Sequence, residues 1–157
     1  MKKQTRRKHY QLVNPILHAI AGAAITDTER LDKVRMIELQ ALEAFRTGAA
    51  TKQDWDHMAD MCNLCELMAK RGIGPEALEA SERAQEALGE AHRRHVELGR
   101  IAVTGPEMQA LRDVFEFHDL QRSSVSRAEY ERAIRDTANR IRSAHPSLKV
   151  FMGAASP

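Results

Sequence analysis

Residues that begin and end α-helices alternate along this chain, at spacings that fit a succession of helices of about 20 residues. A hydroxyl residue three positions before a carboxylate lets each side chain satisfy a free backbone N–H of a first helical turn. Four such pairs open amphipathic segments here, and glycines close two of these segments and a further one that Gly74-Pro75 opens. The pairs are Thr26/Glu29, Thr51/Asp54, Thr104/Glu107 and Ser126/Glu129, and the glycines are Gly48, Gly72 and Gly99. The chain is therefore predicted to be all-α.

The composition of the 157 residues agrees with this prediction. Only 4% are aromatic, and the chain is rich in Ala, Leu, Glu and Arg, which lose little side-chain freedom in a helix. The length suits one domain. We expect a single-domain bundle of five to six helices with short loops and a basic N-terminal arm, in which sequential helices pack antiparallel. The predicted divisions are a flexible basic arm at 1–12, a helical bundle at 13–146 and a frayed tail at 147–157.

The basic arm is the clearest functional feature of the sequence. Five cations fall in the first eight residues, and no acidic residue precedes Asp27. The rest of the chain has 19 of the 24 basic residues against 22 acidic ones. Clustered cations contact phosphates, and they also steer encounters with acidic proteins. The alternative is a solubilising tail. The predicted contacts to nucleic acid or an acidic partner are Lys2, Lys3, Arg6, Arg7, Lys8 and Tyr10.

The helix predicted from Gly74 to about Leu98 has an acidic outer face. We name four of its residues the acidic strip: Glu79, Glu82, Glu86 and Glu90. Such a strip could dock on a basic groove of a partner, including by mimicry of nucleic-acid charge. The alternative is a solvated face with intrahelical pairs from Glu79 to Arg83 and from Glu90 to Arg94.

Residues 119–142 have the pattern of a DNA-binding helix-turn-helix. One helix would end at residues 120–122, a turn would follow at 123–125, and a recognition helix would begin at Ser126. Arg127, Arg132 and Arg135 would then be the DNA-reading residues. Ser124 stands where the motif normally has glycine, and any two capped helices in sequence imitate the pattern.

Cys62 and Cys65, with His92 and His95, have the residue types of a zinc site. In an antiparallel helix pair, however, the two sets would miss each other by about 15 Å. We therefore expect the cysteines to pack as small apolar residues and assign no metal or other cofactor. His95 and His118 are expected to be hydrogen-bonded core residues, with a proton-donating role as the alternative.

Enzyme motifs are missing from the sequence. It has no glycine-rich phosphate loop, no Glu-x-x-His pair and no nucleophile motif, so no catalytic residue is assigned. Asp54, Asp56 and Asp60 cluster near a helix start, where the helix dipole favours carboxylates. The longest apolar stretch, residues 16–25, is about half of what a membrane span needs. Two cysteines and no signal peptide favour a reducing compartment.

A wider set of residues resembles a group of small helical proteins encoded in proteobacterial phages and prophages. The resemblance covers most of the chain. It rests on the order of residues 6–10, Val13-Asn14-Pro15, Asp54-Trp55, Ala59-Asp60, Asn63, Gly72-Ile73-Gly74, Ala87-Leu88, Arg94 and His118. It implies a phage accessory protein that acts in the bacterial cytoplasm, and it supplies no catalytic or binding residues.

These observations favour a non-enzymatic phage-type accessory protein. It would bind a host protein or ribonucleoprotein machine, such as a defence complex or the transcription apparatus, through its helical surface. The basic arm would contact nucleic acid or an acidic patch. The alternative is a DNA-binding helix-turn-helix regulator that uses residues 119–142 and forms a homodimer.

Overall fold

The computed structural model describes residues 28–144, and this part of the chain forms five α-helices and no strand. They are α1 (Thr28–Thr47), α2 (Lys52–Lys70), α3 (Ala77–Leu98), α4 (Gly105–Ser124) and α5 (Arg127–Ser143). The all-α prediction is confirmed. The predicted arm at 1–12, the predicted first helix after Pro15 and the predicted tail at 147–157 lie outside the described residues.

Three predicted helix starts are confirmed in atomic detail. Thr51, Thr104 and Ser126 are each an N-cap, and each forms both halves of a capping box with the carboxylate three residues later. At α2, for example, the Thr51 N–H donates to Oδ2 of Asp54 at 2.8 Å. These bonds satisfy backbone donors that have no partner inside the helix.

The turn between α2 and α3 follows the predicted glycine cap. The Gly72 N–H donates to the Ala69 carbonyl at 2.9 Å, and the Ile73 N–H donates to the Met68 carbonyl at 3.0 Å. Gly72 has φ +84°, a left-handed conformation that suits a residue without Cβ. Ile73 then packs against Leu64 and Met68, which fixes the direction in which the chain leaves α2.

Helices α1 to α4 form an antiparallel bundle around α2. Ion pairs from Arg83 to Asp113 and from Arg94 to Glu107 show that α3 and α4 run in opposite directions. Helix α2 contacts all four other helices, which agrees with the apolar residues around most of its circumference. Nine of its residues are buried: Trp55, Met58, Met61, Cys62, Leu64, Cys65, Leu67, Met68 and Ala69.

Helix α5 departs from the expected antiparallel order, because it packs along α2 and not along α4. Its inner face places Tyr130 and Ala133 against Leu64 and Met68. Since α5 does not pack against α3, a groove remains between these two helices, with α2 as its floor. This arrangement positions the cleft that is described below.

Three details of the sequence prediction are wrong. Helix α4 continues to Ser124, so the turn before α5 is shorter than predicted. Leu31, Val34, Ile37, Ala41 and Phe45 have the spacing of one helix face, which predicts that they are buried, but Val34 and Ile37 are exposed because only the second half of α1 packs into the bundle. The apolar stripe Tyr130, Ala133, Ile134, Thr137 and Ile141 predicts that Ile134 is buried, but Ile134 is exposed because it lies beside the inner face that Ala133 and Thr137 form.

Candidate functional site

The predicted DNA-reading residues lie on α5 and differ in their surroundings. Nε of Arg127 donates to Oε1 of Glu131 at 2.9 Å, which neutralises its charge locally. Arg132 and Arg135 are exposed, and neither forms an ion pair within residues 28–144. The outer face of α5 therefore presents two cations that are available to a partner.

The acidic strip lies on the outer face of α3. Glu79, Glu82 and Glu86 are exposed, and none has an ion-pair partner in the described part of the chain. The predicted intrahelical pairs do not form. Arg83 reaches Asp113 on α4 at 3.3 Å.

The C-terminal member of the strip differs from the other three. The carboxylate of Glu90 is bound by Arg93 at 2.6 Å, and this hydrogen bond lowers the pKa of Glu90. Arg94, the partner expected for Glu90, instead forms two hydrogen bonds of 2.7 Å with Glu107. The strip therefore has three carboxylates that form no ion pair with any described residue, and Glu90 is not one of them.

A buried arginine joins α1 to α4 inside the bundle. Arg122 has no exposed side-chain area, and its Nη2 donates to Oε2 of Glu38 at 2.5 Å. Its Nε donates to Asp119 at 3.1 Å, and its guanidinium lies 5.8 Å from the Phe115 ring centroid. Burial raises the pKa of Glu38, and the adjacent guanidinium opposes that effect. This pair fixes the register of α1, so we assign it a structural role.

His118 belongs to the same buried layer. Its Nδ1 lies 3.3 Å from Oε1 of Gln121, and its Nε2 lies 3.4 Å from the Tyr130 hydroxyl. Burial, together with the Arg122 charge, lowers the pKa of His118 to about 3, so the imidazole is neutral at pH 7. The prediction of a hydrogen-bonded core histidine is confirmed for His118. It is wrong for His95, which is half-buried and whose Nδ1 has no partner among the described residues.

Cys62 and Cys65 are free thiols in the core, as the packing interpretation predicted. Burial raises the pKa of both thiols, for Cys65 to about 12. His92 does not lie beside the cysteines. Its ring is next to Trp55 at the start of α2, with the ring centroids 6.2 Å apart, whereas Cys62 and Cys65 lie two to three turns further along α2. Within residues 28–144, no group of three or more His, Cys, Asp or Glu could hold a metal ion.

A cleft of about 580 Å³ lies between α3 and α5, and we name it the α2–α3–α5 cleft. Trp55 and Leu88 lie at its base, where the indole Nε1 donates to the Leu88 carbonyl at 3.0 Å. Gly89 lies beside them, and a Cβ at this position would meet no atom within 4 Å. Ile141 lies on the opposite wall. The cleft therefore has an apolar base that opens to solvent.

Carboxylates follow one edge of the cleft along α2. Asp56 is paired with Lys52 at 2.5 Å, and Glu66 is paired with Lys70 and lies 3.8 Å from Arg140. Asp60, one turn after Asp56, has no ion-pair partner among residues 28–144. Partial burial, with the neighbouring Asp56 charge, raises the pKa of Asp60.

The α5 wall contributes a hydroxyl without a hydrogen-bond partner. Thr137 is 7% exposed, and its Oγ1 is buried and bonds to no described atom. Sequence reasoning missed Gly89, Thr137 and Arg140, and it treated Asp60 only as a residue of a helix start. No local signal marks these residues, because the cleft exists only where α5 crosses α2.

No protein-family model, curated protein sequence or solved structure matches this chain. None of the five described helices combines the length and the apolar character that a bilayer crossing requires.

Proposed function

We propose that this chain is a non-enzymatic binding protein that docks on a basic surface of a macromolecular partner through the acidic strip of α3. The observation that carries the proposal is the isolation of three carboxylates on that strip. Glu79, Glu82 and Glu86 are exposed and form no ion pair within residues 28–144, on a surface where other acids such as Glu43 and Glu131 pair with cations one turn away.

The geometry of the strip suits a rigid, elongated contact. Seven residues separate Glu79 from Glu86, which corresponds to about 10 Å along a helix at ~1.5 Å per residue. The strip lies on a helix whose other face is held in the core by Ala80, Ala84 and Ala87. A fixed row of like charges raises the association rate with a basic groove and disfavours acidic partners.

The proposed partner is a host protein or ribonucleoprotein machine, such as a defence complex or the transcription apparatus, in a bacterial cytoplasm. The resemblance to phage-encoded helical proteins supports this context. In this proposal the basic arm, with Lys2, Lys3, Arg6, Arg7 and Lys8, supplies a second contact to nucleic acid or to an acidic patch.

Affinity capture from bacterial lysate tests the proposal. The bait is the full chain, and the capture is run with and without nuclease and quantified by mass spectrometry. A stoichiometric protein that survives nuclease should be captured by the wild type and lost with the triple variant Glu79→Gln/Glu82→Gln/Glu86→Gln.

A matched control removes the same number of charges elsewhere. The variant Glu29→Gln/Glu43→Gln/Glu131→Gln alters exposed glutamates that pair within their own helices. It should keep the captured protein at the wild-type level. Equal capture by all three baits would show that the acidic strip does not form the interface.

The second candidate function is that of a DNA-binding regulator, and the exposed cations of α5 favour it. Arg132 and Arg135 lie one turn apart on the outer face of the helix that follows the turn at Val125. This hypothesis expects a homodimer and sequence-selective binding that Arg132→Ala/Arg135→Ala abolishes. Weak binding of all sequences alike, lost between about 50 and 200 mM salt, would contradict it.

A further inference from the structure

We propose that the α2–α3–α5 cleft binds a small organic cation, a primary amine with an apolar portion. This activity is separate from the docking of a macromolecule, because none of the four residues of the acidic strip lines the cleft. Four features of the cleft support the proposal: its size, its apolar base, its charge and an unused hydroxyl.

The size and the base fit a small molecule. A volume of about 580 Å³ lies within the range of ~300–1,000 Å³ that is usual for ligand pockets. The indole of Trp55 is held in place by its hydrogen bond to the Leu88 carbonyl. Because Gly89 has no side chain, the surface between Leu88 and Trp55 is open to an apolar group of the ligand.

The charge of the cleft selects a cation. Three carboxylates, those of Asp56, Asp60 and Glu66, line it together with one cation, Arg140. Asp56 and Glu66 already have lysine partners, whereas Asp60 has none in the described chain. Asp60 is exposed and lines the cleft, so a ligand ammonium can reach its carboxylate and form an ion pair beside the apolar base.

The unused hydroxyl is an independent indication of a ligand. Thr137 is more than nine-tenths buried in the α5 wall, and its Oγ1 makes no hydrogen bond within residues 28–144. Helical threonine has two accessible χ1 rotamers. Thr137 lines the cleft, and in the proposed complex its hydroxyl accepts a hydrogen bond from a ligand N–H after rotation about χ1.

The test uses the fluorescence of Trp55, which is the one tryptophan of the chain and lies at the base of the cleft. The full-length protein is excited at 295 nm, a wavelength chosen to be selective for tryptophan, and titrated with benzylamine as the probe. We expect a saturable change in emission. Benzyl alcohol, which matches the probe in size but has no charge, should bind at least ~10-fold more weakly.

Two variants separate binding in the cleft from general effects. Asp60→Asn should weaken benzylamine binding at least ~10-fold. Asp113→Asn should leave binding unchanged, because Asp113 lies on α4 and does not line the cleft. Gly89→Phe should fill the cleft and abolish binding. Thermal unfolding of each variant confirms that it is folded.

Several results would overturn the proposal. They are a linear, non-saturating response to benzylamine, equal affinity for the amine and the alcohol, or wild-type affinity in the folded Asp60→Asn variant. A second arm titrates N-acetyl-lysine N-methylamide. Binding tighter than that of benzylamine would reassign the site to a lysine side chain of a partner and overturn the small-molecule proposal.

Discussion

Removal of the Glu38 carboxylate should strongly destabilise the fold, because Arg122 would keep a buried charge with less compensation. Removal of one partner from a buried ion pair costs about 3–5 kcal/mol. Asp119 would remain at 3.1 Å from Nε of Arg122 and is partly exposed, which places the cost at the lower end. We expect Glu38→Leu to lower the free energy of unfolding by about 3 kcal/mol, or Tm by roughly 6–12 °C.

Arg122→Met should cost a similar amount, about 3 kcal/mol, because it leaves Glu38 buried without its cation. The double variant Glu38→Leu/Arg122→Met removes both charges and replaces them with apolar side chains. It should unfold within about 1 kcal/mol of the wild type, whereas independent effects would add to about 6 kcal/mol. Asp119 retains Arg35 as a partner at 3.4 Å in the double variant.

The assay is urea denaturation at 25 °C, followed by Trp55 fluorescence and by far-UV circular dichroism. Coincident transitions and an unchanged urea slope would show that the variants differ in stability and not in their unfolded states. A cost below about 1 kcal/mol for Glu38→Leu would refute the reasoning. So would a double variant whose loss equals the sum of the single losses.

Three further predictions concern His118, two glycines and Trp55. Burial lowers the pKa of His118 to about 3. The neutral imidazole therefore contributes fully to the free energy of unfolding above pH ~6.5, and this contribution is lost as the pH falls toward 3, at ~1.4 kcal/mol per pH unit. Urea denaturation at pH 7 and pH 5 should show a loss of about 2 kcal/mol that His118→Gln removes, and equal pH dependence in the variant would contradict this assignment. Gly89→Ala should stabilise the protein by about 0.5–1 kcal/mol, since Gly89 lies inside α3 with open space at the Cβ position. The matched change Gly99→Ala should destabilise it by roughly 1 kcal/mol because Gly99 has φ +71°, and the same sign for both in thermal unfolding would refute the distinction. Trp55→Phe should cost about 2 kcal/mol in chemical denaturation, because it removes the bond to the Leu88 carbonyl and part of the buried ring, and a neutral effect would show that this bond is not stabilising.

Helix boundaries were predictable because capping is a local interaction. Thr51 and Asp54 are three residues apart, and so are Ser126 and Glu129, so the sequence alone contains both halves of each capping box. The two ends of the bond between Glu38 and Arg122 lie 84 residues apart. Residue 122 was accordingly expected only to end a helix, and its burial was not predicted.

The candidate sites divide in the same way. The acidic strip could be read from the helical period, and the structure places Glu79, Glu82 and Glu86 on one exposed face. The ion pairs of Arg83 and Arg94 could not be predicted from the sequence, because each arginine binds a carboxylate on α4 and not one on its own helix. A long arginine side chain reaches either partner, and only the packing of α3 against α4 decides between them.

The sequence by itself therefore determined which segments of residues 28–144 are helices, where three of them start, and which face of α3 is acidic. These properties depend on neighbours within about one turn, where propensity, capping and periodicity act. The tertiary structure alone decided that Arg122 and His118 are buried, that α5 packs on α2, and that Asp60 and Thr137 line one cleft. Those outcomes depend on which distant surfaces meet, because a buried charge or an open groove is defined by the helices packed around it.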